Sequence, residues 1–151
     1  MVTDLLNVDD VLARILSDMQ PLSRETVDLA RALGRVLAED VQAAQDVPAF
    51  ASSAMDGYAV RADDLTGASA ERPVRLAVIG DIPAGLQPDF TVGAGQAARI
   101  MTGAPMPEGA DTVVPVEDTG DRWTTDGAAP LAGAVDVLAS LERGRNVRQP
   151  G

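Results

Sequence analysis

The sequence contains no cysteine, no histidine and no lysine. Without cysteine there is no disulfide and no thiolate nucleophile, and the four-ligand zinc sites that use Cys or His are excluded as well. Without histidine no imidazole serves as a general base near neutral pH. Without lysine there is no phosphate loop of the Gly-x-x-x-x-Gly-Lys type. Aromatic residues are scarce, with one Trp, one Tyr and two Phe. No hydrophobic run approaches the length of a membrane span. Asp4, Asp9 and Asp10 occupy the N-terminal region, where a secretory signal would be basic. These absences lead to the expectation of a soluble, cytoplasmic protein.

What is present is acidic. All 12 basic residues are arginines, against 23 Asp and Glu, for a formal net charge of −11. That balance argues against a nucleic-acid surface or an anionic membrane as partner, since both require a basic patch. Binding of a phosphorylated small molecule then calls for a divalent cation or a local arginine cluster. The 151 residues suffice for one domain, or for one domain with an insertion.

Hydrophobic periodicity predicts an amphipathic helix over Asn7–Met19, with Val8, Val11, Leu12, Ile15, Leu16 and Met19 on one face. Asn7 is its expected N-cap. A second helix is expected over Leu29–Leu37, capped by Asp28, and a short strand over Val41–Ala44. Beyond Asp46 the composition changes: all prolines but Pro21 and all glycines but Gly34 lie there. Strands are expected at Ala54–Val60, Val74–Ile79, Ala97–Met101, Thr112–Val116, Arg122–Thr125 and Val135–Leu138, with one helical turn at Arg61–Leu65. Pro115 marks its strand as an edge or a bulge. The fold class is therefore mainly β with α (α+β): N-terminal helices and a small domain carrying an inserted antiparallel, coiled β-domain. The expected partition is an N-terminal helix at 1–22, a small discontinuous domain from 23–45 plus 142–151, and the inserted β-rich domain at 46–141. The end on Pro150-Gly151, directly after a strand-like segment, reads as a fragment boundary.

Two loops stand out. Pro48–Val60 places Asp56 in an Asp-Gly pair flanked by apolar residues, which predicts a type I′ hairpin turn. Arg99–Asp111 includes Thr102-Gly103-Ala104-Pro105 after a strand, where a hydroxyl and the Gly103 N–H could face an anion. From local sequence alone the ordinary-turn reading is the leading one for each loop. Asp111, Glu117 and Asp118 could hold Mg²⁺ together with Asp56, as in a phosphohydrolase, or could be a solvated edge. Arg143, Arg145 and Arg148 make the C-terminal stretch locally basic.

Three motifs, taken in order, carry a resemblance. They are Pro48-x-Phe50-x-x-Ser53-Ala54-Met55-Asp56-Gly57-Tyr58-Ala59, then Arg99-Ile100-Met101-Thr102-Gly103-Ala104-Pro105 continuing to Asp111 and Glu117, then Gly144-x-Asn146-Val147-Arg148-x-x-Gly151. Together they resemble the N-terminal region of the molybdopterin molybdenumtransferase (MoeA) family, which includes the C-terminal domain of gephyrin. The resemblance implies insertion of molybdenum from molybdate into adenylylated molybdopterin, with release of AMP in a Mg²⁺-dependent step. It implies a homodimer, with molybdopterin adenylyltransferase as a possible partner, and a cleft shared between subunits. It implies Asp56 and Thr102 as catalytic residues, with Ser53, Gly103 and Arg148 as substrate-binding candidates and no metal ligand assigned. Ala51 departs from the Asp or Asn usual in the family, and the acidic residue that normally follows the last motif falls beyond Gly151. A non-catalytic β-rich interaction module is the competing reading.

Overall fold

The computed structural model describes residues 6–121, 123 and 131–151. The chain divides into two compact units, one reaching to Gln42 and one spanning Ala43–Gly151.

In the first unit α1 covers Val8–Ser17, and the Asn7 side chain accepts the Asp9 N–H at 3.1 Å. Asp9 and Asp10 in the first turn and Arg14 in the last complement the helix dipole. The predicted apolar stripe forms, yet no residue of α1 is buried. The second expected helix does not form. Only a single 3₁₀ turn, Leu29–Arg31, follows Asp28, whose side chain makes no capping bond. Gly34 then takes φ +80°, and Leu29, Leu33 and Val36 are each more than nine-tenths exposed. A short helix needs a packed face to offset its nucleation cost, and this one has none. No strand forms over 41–44 either.

The second unit is organised around a five-stranded sheet. Its strands are β2 (Gly57–Val60), β3 (Val74–Ile82), β4 (Gln96–Ile100), β5 (Thr112–Pro115) and β6 (Ala134–Val137), in the order β5-β2-β4-β3-β6. A two-stranded ribbon pairs β1 (Ser52–Ser53) with β7 (Val147–Arg148). Three of the sheet pairings are antiparallel, as expected, whereas β3 and β4 run parallel. Pro115 lies on edge strand β5, where its missing N–H costs no ladder bond. Residues Ala62–Leu65 make the anticipated helical turn, in 3₁₀ form, with Leu65 buried. The strand expected at Arg122–Thr125 lies outside the described residues, Trp123 aside.

The Asp56-Gly57 hairpin is corrected. Neither residue has positive φ, and the segments before and after it belong to different sheets. Glycine is required at 57 for space rather than for turning. A Cβ there would stand 1.9 Å from the Val114 carbonyl oxygen, because β5 crosses close to the start of β2.

All four residues of β2 are buried, so the strand lies inside the sheet with apolar side chains on both faces. Tyr58 and Val60 join Leu65, Leu76, Ala97, Val114, Val135 and Val137 on one face. Ala59 joins Ile82, Val92, Ala98, Ile100, Ala104 and Val113 on the other. Along β3 the register shifts between Val78 and Gly80. That bulge reverses the alternation: Leu76 packs on the first face and Ile82 on the second, although both numbers are even.

Candidate functional site

Asp56 immediately precedes β2, and Thr102 follows β4 by two residues. Because β2 and β4 pair antiparallel, with Gly57 opposite Ile100, the two ends meet at one edge of the sheet. Both donors of Thr102 converge on one carboxylate oxygen. Its backbone N–H reaches Asp56 Oδ1 at 2.7 Å and its hydroxyl reaches the same atom at 2.8 Å. Both residues are exposed. The Asp56 carbonyl accepts the Val116 N–H at 3.1 Å, which fixes the carboxylate's backbone against the end of β5. Among the described residues nothing donates to Asp56 Oδ2.

The Thr102 loop is a four-residue turn closed by the Ala104 N–H on the Met101 carbonyl at 3.0 Å, with Gly103 at φ +80°. A non-glycine residue at Gly103 would be strained, although a Cβ there would meet no neighbour. The Gly103 N–H donates to the Ser53 carbonyl at 2.8 Å, and the Ser53 N–H donates to Ala104 at 2.9 Å. The expectation that the Gly103 N–H faces an anion is therefore corrected: the ribbon already uses it. Ser53 is fully buried, and its hydroxyl donates to the Met55 carbonyl at 2.6 Å. Ser53 and Gly103 thus build the frame that holds the two exposed residues.

Arg148 pairs through its backbone with Ser52 and is exposed. Asn146, in the left-handed region at φ 58°, locks this ribbon in place. Its side-chain amide donates to the Val113 carbonyl at 2.9 Å, and its own carbonyl accepts the Ala54 N–H at 2.9 Å. The basic stretch is partly neutralised, because Arg143 pairs with Asp111 at 3.0 Å and lies 3.8 Å from Asp63. Asp111 also accepts the Ala62 N–H at 2.8 Å. It braces a loop, and no group of three or more metal-ligating acids exists among the described residues. The four-acid arrangement of Asp56, Asp111, Glu117 and Asp118 is therefore not assembled there.

Two depressions are lined by neither Asp56 nor Thr102. One, of about 580 Å³, is lined by Val116, Glu117, Thr119, Asp121, Trp123 and Leu138. The other, of about 520 Å³, runs from Gln87 to Thr91 and against Met106, Pro107 and Glu108. The Asp56–Thr102 pair lies at an exposed edge of the sheet.

The outward chemistry of that pair follows from the donor count. An ionised carboxylate only accepts, so the Thr102 hydroxyl proton is committed to Asp56. What remains available is Asp56 Oδ2 and the lone pairs of Thr102 Oγ1. Such a set suits a hard cation or a water molecule, and it does not suit a bare oxyanion.

Comparison with known proteins places this geometry in context. The family model for the MoeA N-terminal region (domains I and II) matches residues 6–151. The chain belongs to the MoeA family, whose N-terminal region it represents. It is similar to the molybdopterin molybdenumtransferase of Nostoc sp., with 51% identity over 118 residues, covering 78% of this chain and 27% of the relative. It is similar to molybdopterin molybdenumtransferase 2 of Mycobacterium tuberculosis H37Rv, with 43% identity over 139 residues, covering 91% of this chain and 32% of the relative. Among solved structures, the molybdopterin biosynthesis MoeA protein of Pyrococcus horikoshii OT3 superimposes with a TM-score of 0.74 at 33% identity. That match covers 98% of this chain and 37% of the other. The chain thus spans about a third of the length of these proteins.

Proposed function

We propose that this chain supplies one wall of a molybdenumtransferase site, at which molybdenum from molybdate enters adenylylated molybdopterin and AMP is released. The observation that carries the reading is the convergence of Thr102 N–H and O–H on Asp56 Oδ1, at an exposed edge built by two family motifs. A turn carboxylate with only a local role needs no partner from a loop 46 residues away. No specific observation favours the non-catalytic module.

The residues have separable tasks in this reading. Thr102 fixes the rotamer of Asp56, so that Oδ2 faces outward with a set direction and costs no ordering entropy when substrate arrives. Asp56 then orients a water molecule or a cation against an anionic group. Mg²⁺ fits as a shared ion, because it is commonly held by one or two carboxylates together with substrate phosphates and water. Asp56, assisted by Thr102 Oγ1, would be its protein ligand here. When bound, the ion would neutralise charge developing on phosphate and molybdate oxygens. Arg148 gives a nearby anion a cationic neighbour in a chain of −11 net charge. Ser53 and Gly103 serve the site through the frame.

The same reading brings a homodimer, a cytoplasmic setting, and molybdopterin adenylyltransferase as the donor of the adenylylated substrate. It also keeps the discontinuous partition, in which 46–141 is inserted between 23–45 and 142–151. In support, the Gly151 N–H donates to the Pro48 carbonyl at 3.2 Å, so the C-terminal segment returns to the start of the inserted stretch.

The test is a chimera in which this chain replaces the matched segment of the M. tuberculosis relative. AMP release and molybdenum insertion are measured with and without Asp56→Asn and Thr102→Val. Both variants should lose turnover while keeping the melting temperature. Unchanged turnover would return the pair to an ordinary loop contact. The 151-residue chain alone should bind adenylylated molybdopterin weakly and release no AMP.

A further inference from the structure

The strand that delivers Thr102 carries an anomaly. In β4 the buried residues are Ala97, Ala98 and Ile100, and between them stands an arginine whose side chain is only 13% exposed. A guanidinium so placed is costly unless its donors are satisfied. Here they are: Arg99 Nε meets Asp81 Oδ1 at 2.8 Å and its terminal nitrogen meets Asp81 Oδ2 at 2.7 Å, a bidentate fork. The guanidinium also lies over the Trp123 ring at 5.9 Å. Trp123 packs edge-on against Tyr58 at 5.9 Å, and Tyr58 is the β2 residue directly opposite Arg99. The Tyr58 hydroxyl donates to Asp121.

One side chain therefore ties three strands at a single level. Asp81 lies on β3, Arg99 on β4 and Tyr58 on β2. The bulge after Val78 makes this possible, since it turns Asp81 onto the Arg99 face while Ile82 turns onto the other. Without it, unbroken alternation would carry Asp81 to the opposite side of the sheet. Past this level β4 has one more residue, Ile100, before the loop. The Met101 N–H is taken by the Ile82 carbonyl at 3.1 Å, and Thr102 follows.

We infer that Arg99 is a positioning residue, whose fork to Asp81 and contact with the Tyr58–Trp123 pair hold the end of β4 in the register that brings Thr102 onto Asp56. The inference rests on the reading of Asp56 and Thr102 as the reactive pair. Arg99 touches neither of them. It acts through the strand, and the requirement is for a planar fork rather than for positive charge alone.

The test is amide hydrogen exchange on the 151-residue chain. Thr102 is the reporter, while Val113, which donates to the Arg145 carbonyl, and Val92, which donates to the Glu108 carbonyl, are the controls. In Arg99→Met, Thr102 protection should fall by about tenfold or more while Val113 and Val92 keep theirs. Arg99→Lys should show the same selective loss in smaller measure. Asp81→Asn, which leaves Arg99 in place, provides a second route should Arg99→Met fail to fold, and the same selective loss is expected. Unchanged Thr102 protection in these variants overturns the inference. So does a loss shared equally by all three amides, which would make Arg99 a stabiliser only. Turnover in the chimera separates the two claims. If Asp56→Asn keeps full turnover, the proposed function fails whatever the exchange shows. If Arg99→Met lowers turnover while Thr102 exchange is unaltered, the inference fails and the function stands.

Discussion

The two faces of the five-stranded sheet use different materials near the Asp56 end. One is closed by small and branched apolar side chains: Ala59, Ala98, Ile82, Ile100 and Val113. The other carries a polar inset of Asp81, Arg99, Tyr58 and Asp121 set beside Trp123. Apolar contacts are additive and non-directional, so the first face contributes stability. Forked and ring-stacked contacts are directional, so the second contributes orientation. Asp81 and Ile82 are adjacent in sequence and face opposite ways, which allows the two contributions to be broken separately.

The largest effect is expected where the faces share a backbone. Gly57→Ala would drive a Cβ into the Val114 carbonyl, and neither strand can yield without loss of pairing. Stability should fall by about 3 kcal/mol or more, read by urea denaturation, and the chain should unfold if its margin is smaller. Ile82→Ala comes next. A fully buried isoleucine truncated to alanine costs about 2–5 kcal/mol, and the loss should be uniform from pH 5 to 8. Asp81→Asn should cost far less at neutral pH, since the Asp81 side chain is 37% exposed and solvent screens the pair.

The Asp81 effect depends on pH in a defined sense. The hydrogen bonds from Arg99 hold the Asp81 carboxyl below its ordinary value. Its contribution is therefore present above the unfolded-state pKa near 4 and is lost as pH falls through the lower folded value. Acid denaturation followed by circular dichroism should show a shallower decline for Asp81→Asn than for the parent chain. Tyr58→Phe is the mildest change. Burial, and then the bond to Asp121, push the Tyr58 phenol up to about 12. The parent should lose stability as pH rises from about 10 towards 12, and Tyr58→Phe should lack that component. Equal alkaline slopes in the two proteins would show that the hydroxyl is not held as described.

The legibility of the chain follows the range of its interactions. The cap at Asn7 and the stripe of α1 are local, and both formed as read. The alternation in Val74–Val78 and the edge role of Pro115 were legible because each depends on a single strand's neighbours. Leu29–Leu37 was misread because its spacing is helical while no surface covers it. Asp56-Gly57 was misread because a dipeptide that suits a type I′ turn also suits a close strand crossing, and only the partner strand decides. Asp56 and Thr102 are candidates through the motifs alone, whereas their shared hydrogen bonds required the β2–β4 register. Arg99 lies at the head of the second motif, and the motif by itself implies no role for it. The signal was available, since an arginine amid Ala97, Ala98 and Ile100 breaks a buried strand pattern. Its partner Asp81 could not be read, because the bulge that aims it leaves no mark beyond Gly80.

The central claim is that the charge on Asp56, held by Thr102, belongs to function and not to folding. Asp56→Asn tests it most directly, because asparagine keeps the shape and an acceptor for Thr102 while removing the charge. In the chimera with the M. tuberculosis relative, AMP release should fall about 100-fold or more. The melting temperature should stay within about 2 °C of the parent. Full turnover in that variant, or a melting temperature that collapses together with activity, would contradict the account.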